Sequence, residues 1–336
     1  MSVDIGIDLG TTSIIIYMSG KGIVLKEPTV ATIDARSKKI IAFGKEALKA
    51  VDRIPPFYKT VYPLIDGVVS DHYVTEFMIK HFMRMISQNL IVKPRVSICI
   101  PSGVTDVEVN AVIDAVSNSG ARKIYLIEEP IAGAIGAGLD LSLASGKMLL
   151  DLGGGTSDVA VISMNGIASK ASLKGAGKRL DEDLIRYLKN KYNILIGMKT
   201  AEEIKKLLGN VYKPKPEVKY QVKGKNAVTG FPEAVIISEA DTAEAYRDHI
   251  IEISQMVRQV MERTSPELIS DIAETGMVLT GGTSLLRGLP ELLGELLNIR
   301  TLPVEDPINC VAIGTGKAFD YLNILSDGFI KPTAYK

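Results

Sequence analysis

Asp151-Leu152-Gly153-Gly154-Gly155-Thr156-Ser157-Asp158 stands between two apolar runs, Met148-Leu149-Leu150 before it and Val159-Ala160-Val161-Ile162 after it. A strand enters a glycine turn and leaves at once as a second strand, so the stretch reads as a β-hairpin whose tip is bare backbone. Three consecutive glycines remove every Cβ there, which lets N–H groups approach a bulky anion and permits positive φ. Asp151 and Asp158 would repel a phosphate directly unless a divalent cation or a water lies between. The same pattern is written near the N-terminus: Ile5-Gly6-Ile7, then Asp8-Leu9-Gly10-Thr11-Thr12-Ser13, then Ile14-Ile15-Ile16. A single copy reads equally well as a tight turn between core strands. Two copies, each with an Asp ending the first strand and hydroxyls after the glycines, point to two half-domains facing each other across a cleft. They read as two phosphate clamps on one nucleotide, with the Asp8 and Asp151 carboxylates holding hydrated Mg²⁺ between them. Neither is a Walker loop. The nearest approach to one, Gly175-Ala176-Gly177-Lys178-Arg179, lacks both the four-residue spacer and the Ser/Thr after Lys.

Composition narrows the function classes. At 336 residues and 46% hydrophobic, the chain can bury a large core and is expected to form two domains. Lys plus Arg equals Asp plus Glu, 39 each, so no net field favours nucleic acid or an anionic membrane. Trp is absent and aromatics are 6%, which argues against stacking platforms for single-stranded nucleic acid. Cys99 and Cys310 both sit in apolar surroundings and read as buried free thiols of a reducing cytosol. His72, His81 and His249 offer no metal-ligand spacing. No signal-peptide pattern precedes the first strand, and the apolar runs fall short of the ~20 residues that span a bilayer. The expectation is a cytoplasmic protein.

Along the chain, residues 3–35 read as strands, and residues 36–74 as a less regular insertion with a short strand at Ile40-Ile41-Ala42 and a short helix at Lys45–Val51. Asp71 caps a helix that runs to Gln88. Pro94–Pro101 is a buried strand, and Thr105–Ser119 a helix whose Thr105 and Glu108 form a capping box. A strand follows at Lys123–Ile127 and a small-residue helix at Ile131–Gly138. After the glycine hairpin the pattern restarts. Helices are expected at Leu180–Tyr192 and Thr200–Leu208, a second, strand-like insertion at 211–238, and a long helix at Asp241–Glu262. Ser265-Pro266-Glu267 starts another helix. Met277–Thr280 is a strand ending in Gly281-Gly282-Thr283-Ser284, followed by a Leu-rich helix to about Leu297, a strand at Arg300–Val304 and a closing helix from Pro307 to about Tyr321. Alternating strands and helices of this kind give α/β layering.

Four cleft motifs therefore follow one another: Asp8–Ser13, Glu128–Gly138, Asp151–Asp158 and Leu279–Gly288. Their order resembles the actin-like ATPase fold shared by actin, DnaK-type chaperones and sugar kinases. Within it, the chain resembles the MreB/Mbl family of bacterial actin homologues, the rod shape-determining proteins. The likeness extends over essentially the whole chain. It includes GKGIVLKEPTVATI at 20–33, PSGVTDVE at 101–108, IEEPIAGAIGAGL at 127–139, SPELISDIAETG at 265–276, LTGGTSLLRG at 279–288 and DPINCVAIGTG at 306–316, whose Asn-Cys pair looks more like Mbl than MreB.

The resemblance implies two similar α/β domains, each a five-stranded sheet with helices and an inserted subdomain, with the nucleotide in the cleft between them. Subdomain IA would comprise 1–32, 75–142 and 318–336, IB 33–74, IIA 143–181 and 247–317, and IIB 182–246. It implies weak ATP hydrolysis coupled to polymerisation, with ATP and Mg²⁺ as cofactors. Gly10, Thr11, Thr12 and Ser13 would cradle the phosphates from one side and Gly153, Gly154, Gly155 and Thr156 from the other. Asp8 and Asp151 would organise Mg²⁺ through waters. Glu129, assisted by Thr156, would orient the attacking water; neighbouring Glu128 is the alternative, and a pair capping the helix N-terminus is the plainer reading. Gly281, Gly282, Thr283 and Ser284 would receive the adenosine, with Glu202, Glu203 and Lys205, although Glu202 and Lys205 also suit an ordinary surface ion pair. Two departures stand out. Relatives usually carry Thr-Glu where this chain has Ser157-Asp158, and an acid where it has Lys178-Arg179; both imply altered cleft geometry and weak activity.

The resemblance further implies head-to-tail protofilaments, paired antiparallel through the helix Thr105–Ser119 with Val107 near the contact. Membrane attachment would fall to Leu90, Ile91 and Val92, beside Lys93 and Arg95, unless these residues begin the following strand. The expected partners are other copies of the chain, the inner face of the cell membrane, and cell-wall synthesis and membrane-anchored shape proteins, with no nucleic acid. A monomeric chaperone-type or assembly ATPase is the alternative. A small-molecule kinase of the same fold is a third reading, against which no Asp occupies an obvious sugar-side loop.

Overall fold

The computed structural model describes residues 3–51, 55–88, 92–325 and 328–330. β-branched and apolar runs build a first sheet in the order Gly22–Pro28, Ser13–Met18, Asp4–Leu9, Arg95–Ile100 and Lys123–Glu128, with the short Phe329–Ile330 at its edge. Its first three strands form an antiparallel meander, and Asp4–Leu9, Arg95–Ile100 and Lys123–Glu128 run parallel. The second sheet repeats that plan with Gly166–Lys174, Thr156–Ser163, Lys147–Leu152, Met277–Thr280 and Thr301–Pro303. The duplication seen in the two glycine turns therefore extends to whole sheets. The first sheet departs from the expected five strands only by the edge pairing of Leu126 and Ile127 with Ile330 and Phe329.

Alternation along the strands decides what each sheet face buries. Leu150, Leu152, Val159 and Val161 join one apolar cluster with Leu184, Tyr246, Ile253 and Leu293, from the helices Gly177–Tyr192, Glu239–Arg263 and Leu289–Leu297. Leu149, Ala160 and Ile162 point the other way. They meet Ile131, Ala132 and Ile135 of the helix Glu129–Gly136, Cys99 and Ile127 of the first sheet, and Val311 of the helix Cys310–Lys317. The opposite face of the first sheet packs on His72–Ser87 and Asp106–Ser117.

The molecule is thus layered helices, sheet, central helix pair, sheet, helices. The central helices meet backbone to backbone. A Cβ on Gly314 would fall on the Ala132 carbonyl, and one on Gly136 on the Cys310 carbonyl. Each central helix leaves one sheet and packs on the other, so the pair ties the two halves together at the base of the cleft.

Two three-stranded sheets stand outside this frame, besides the short hairpin of Leu64–Ile65 with Val68–Val69. One pairs Ala31–Asp34 with Ile40–Phe43 and Tyr58–Val61; the other pairs Lys219–Asn226 with Pro232–Ser238 and the two-residue strand Ile194–Leu195. The expected caps form: Asp71 accepts the Val74 N–H, and the Thr105–Glu108 capping box is complete. Among the described residues no helix is long and apolar enough to cross a membrane.

Candidate functional site

The two glycine tips close in the same way. The Gly10 N–H donates to the Ser13 carbonyl at 3.1 Å, and the Gly153 N–H to the Thr156 carbonyl at 3.0 Å. These two N–H groups are consumed within their own hairpins, so the donors left to a ligand belong to the residues between. The tips also face each other, since a Cβ on Gly154 would strike Thr12 and one on Gly155 would strike Thr11. Bare backbone is needed here because the opposite tip arrives at contact distance. Thr29 Oγ1 braces the first tip by donating to the Gly10 carbonyl at 2.7 Å, and Thr283 Oγ1 braces the second by donating to the Gly153 carbonyl at 2.7 Å.

Below the tips, Asp8 and Asp151 occupy the same place in their strands, each paired across its meander, Asp8 with Ile15 and Asp151 with Asp158. Each also meets a side chain from the neighbouring parallel strand: Cys99 Sγ donates to Asp8 Oδ1 at 3.3 Å, and Thr280 Oγ1 to Asp151 Oδ1 at 2.6 Å. Burial, with the Asp151 charge adding to it, pushes Asp8 up to about 7, and burial pushes Asp151 up to about 6. Asp158 is pushed up to about 7 by burial. Its Oδ1 accepts the Ser102 N–H at 2.8 Å, and its buried Oδ2 has no hydrogen-bond partner. Glu129 opens its helix and is buried; burial first, then the charges of Asp158, Asp151 and Asp8, holds its carboxyl well above the usual range. The Thr156 hydroxyl donates to Glu129 Oε2 at 3.3 Å.

Four carboxyls converge here and none of them has an ion-pair partner among the described residues. Clustered acids without compensation are the donor chemistry that a hard divalent cation matches. Among the described residues no three His, Cys, Asp or Glu side chains form a ready-made metal cage. The residues present therefore fit Mg²⁺ held by one or two carboxylates, waters and phosphate rather than by an all-protein shell.

Neighbouring Glu128 is differently placed. It accepts Ser102 Oγ at 2.8 Å and Lys170 Nζ at 2.7 and 2.8 Å, so both oxygens are engaged in a link between the halves. On the side expected to receive the adenosine, Lys205 Nζ donates to the Gly177 carbonyl at 2.6 Å and to Asp181 Oδ2 at 2.8 Å. Glu202 pairs with Lys206 at 2.6 Å, one position beyond Lys205, and Glu203 is exposed. Gly281, at φ +80°, lets the backbone lie against Leu152, and Ser284 Oγ donates back to the Gly281 carbonyl at 2.7 Å. Gly282 meets almost nothing on its Cα face, its nearest neighbour being Ile308 at 3.8 Å. Away from the cleft, Val107 is 79% exposed and Val92 46% exposed, while Leu90 and Ile91 lie outside the described residues. Cys99 and Cys310 are buried and free.

Sequence reading missed the residues that hold these groups in place: Ser102, Lys170, Thr280, Thr29 and Asp181. Cys99 and Thr280 had a signal, since each lies one strand over from an Asp that ends its own strand. Lys170 and Asp181 had none, because their partners come from distant segments.

A family model described as MreB/Mbl protein matches residues 2–327. The cell shape-determining protein Mbl of Bacillus subtilis is 43% identical over 96% of this chain and 97% of its own length. The cell shape-determining protein MreB of Escherichia coli is 42% identical over 96% of this chain and 95% of its own. The crystal structure of MreB 5 of Spiroplasma citri bound to AMPPNP superposes with a TM-score of 0.89 at 32% identity, covering 96% of this chain and 97% of that one. The MamK double helical filament, at 18% identity and a TM-score of 0.80, shares the fold. With the duplicated sheets, the facing tips and the central helix pair already in view, the chain belongs to the MreB/Mbl family of bacterial actin-like, cell shape-determining proteins.

Proposed function

We propose that this protein binds ATP with Mg²⁺ in the cleft, hydrolyses it slowly and assembles into filaments under the cell membrane. The observation that carries the reading is the pair of matched glycine tips facing each other above four uncompensated carboxyls. Two solved relatives, described as bound to AMPPNP and to ADP, support it. Backbone N–H groups between Gly10 and Ser13 and between Gly153 and Thr156 hold the phosphates, and Gly281–Ser284 with Glu202, Glu203 and Lys205 border the adenosine. Bound Mg²⁺, held through water by Asp8 and Asp151, would neutralise the phosphates.

Glu129 orients the attacking water, and Thr156 fixes its carboxylate. Phosphoryl transfer depends on positioning and charge, so one such group is enough. The engagement of Glu128 with Ser102 and Lys170 favours Glu129 for that role. Head-to-tail contacts between copies do not close, so they propagate as filaments. Pairing of protofilaments runs through Val107. The apolar segment ending at Val92 meets the inner face of the membrane, weakly in each subunit and cooperatively along a filament, where cell-wall synthesis and membrane-anchored shape proteins gather.

The test is high-speed pelleting with phosphate release, in ATP and Mg²⁺, for the wild type and Glu129→Ala. Both proteins are expected to pellet, with phosphate release at least ~100-fold slower in the variant. If neither pellets at any concentration, with or without liposomes, a monomeric ATPase replaces the filament reading.

A further inference from the structure

Lys178 is the residue that the cleft reading leaves unused, at a position where the family resemblance leads one to expect an acid. It follows Gly177 at the start of the helix Gly177–Tyr192. The loop it stands on is bonded to the second glycine tip: the Gly177 N–H donates to the Gly153 carbonyl at 3.2 Å and the Lys178 N–H to the Gly154 carbonyl at 2.9 Å. Its side chain then crosses the cleft. Nζ donates to the Thr11 carbonyl on the first tip at 3.3 Å and lies 4.7 Å from the centre of the Tyr62 ring. The backbone of Lys178 thus belongs to one tip and its ammonium to the other.

We propose that Lys178 is a phosphate-binding side chain, whose ammonium pairs with the β- or γ-phosphate of a nucleoside triphosphate held between the tips. The inference rests on the reading of those tips as phosphate clamps. An ammonium has three donors, and the Thr11 carbonyl takes one, leaving two for phosphate oxygens. The Tyr62 face accommodates the cation without using a donor. Half-buried, the ammonium is desolvated, and that burial lowers its proton affinity against the pull of Asp66, Glu182, Asp181 and Glu202. A phosphate with two or more negative charges supplies at closer range the compensation that those carboxylates supply only in part. The second cation of the region is committed elsewhere: Lys205 Nζ is held by Gly177 O and Asp181. Lys178 accordingly adds a protein-borne positive charge at the phosphates, alongside the cation that Asp8 and Asp151 would hold.

Calorimetric titration with ATP, ADP and AMP, at protein concentrations below the onset of pelleting, tests this on the wild type, Lys178→Met and Lys178→Arg. Loss of one charge-assisted contact corresponds to a fall in affinity of roughly 10- to 100-fold. Lys178→Met is expected to lose that much for ATP and nothing for AMP, with ADP following ATP if the ammonium meets the β-phosphate and following AMP if it meets the γ-phosphate, while Lys178→Arg stays within about threefold of the wild type. If Lys178→Met keeps wild-type affinity for ATP, or weakens AMP as much as ATP, the lysine is only a clasp across the cleft and the proposal falls. If Lys178→Met melts before titration, Lys178→Gln is read by the same criteria. A wild type that binds none of the three nucleotides would instead overturn the nucleotide reading of the cleft itself.

Discussion

Asp158 shows how much one side chain can decide. It is fully buried, accepts the Ser102 N–H on Oδ1, and has no cationic partner among the described residues. Folding therefore favours its protonated form, and its pKa rises from 3.8 to about 7. Between those values the folded state holds a proton that the unfolded chain has lost, so stability is fully present below pH ~4 and falls as pH rises towards 7. With EDTA and no nucleotide, the thermal midpoint is expected to drop as the pH is raised from about 5 to about 7.5. Asp158→Asn should flatten that slope by up to one proton's worth, about 1.4 kcal/mol per pH unit. An unchanged slope in Asp158→Asn would assign the effect elsewhere. The residue types of this site were legible in the sequence because acids and hydroxyls beside glycines have few structural uses. Their division of labour was not. Glu128 and Glu129 are adjacent, and they are told apart by Ser102 and by Lys170, 42 positions away on a strand of the other sheet, which hold Glu128 and not Glu129.

Elements with their own local signals were read well. The Thr105 capping box, the Asp71 cap and both glycine hairpins each sit in fewer than ten residues of sequence. The strand Ile194–Leu195 was missed because two residues between helices carry no period; it exists only through pairing with Lys225 and Asn226. The hairpin of Leu64–Ile65 with Val68–Val69 was hidden in the same way inside an irregular insertion. Small residues in the central helices were visible, but not their purpose, which is the crossing of two backbones. That crossing gives a sharp expectation. In Gly314→Ala the new methyl would meet the Ala132 carbonyl, which is helix backbone and cannot rotate aside. The loss should be about 3 kcal/mol or more, the upper range for overpacking. Gly138→Ala, where a Cβ meets nothing but φ is +72°, should lose only about 1 kcal/mol. Urea unfolding of both variants decides the matter: equal midpoints would mean that the central helices are free to separate.

At the scale of the molecule, the fold was legible early because it is written twice, and a repeat carries information that no single motif does. The assembly was not, since surfaces that meet other copies obey no internal period. Val107, the proposed lateral contact, is one of the large apolar side chains that the fold leaves exposed. It stands in the first turn of Asp106–Ser117, 79% exposed, while Val112, Ile113 and Val116 of the same helix are buried against the first sheet. A helix so well seated on one face has no internal use for a large apolar residue on the other. Antiparallel pairing about a two-fold axis brings such a residue close to its own copy, so one substitution acts twice in the same contact. With 39 basic and 39 acidic residues, no net charge opposes the approach of two protofilaments. In the proposed antiparallel pair, Val107→Glu would set two carboxylates face to face, a juxtaposition that costs several kcal/mol when desolvated, and head-to-tail contacts made through other surfaces would remain. Pelleting in ATP and Mg²⁺ is therefore expected to stay within about twofold of the wild type, while electron micrographs show single protofilaments in place of pairs. Pairs at wild-type frequency would place the lateral contact on another face; loss of pelleting altogether would show that longitudinal assembly depends on pairing.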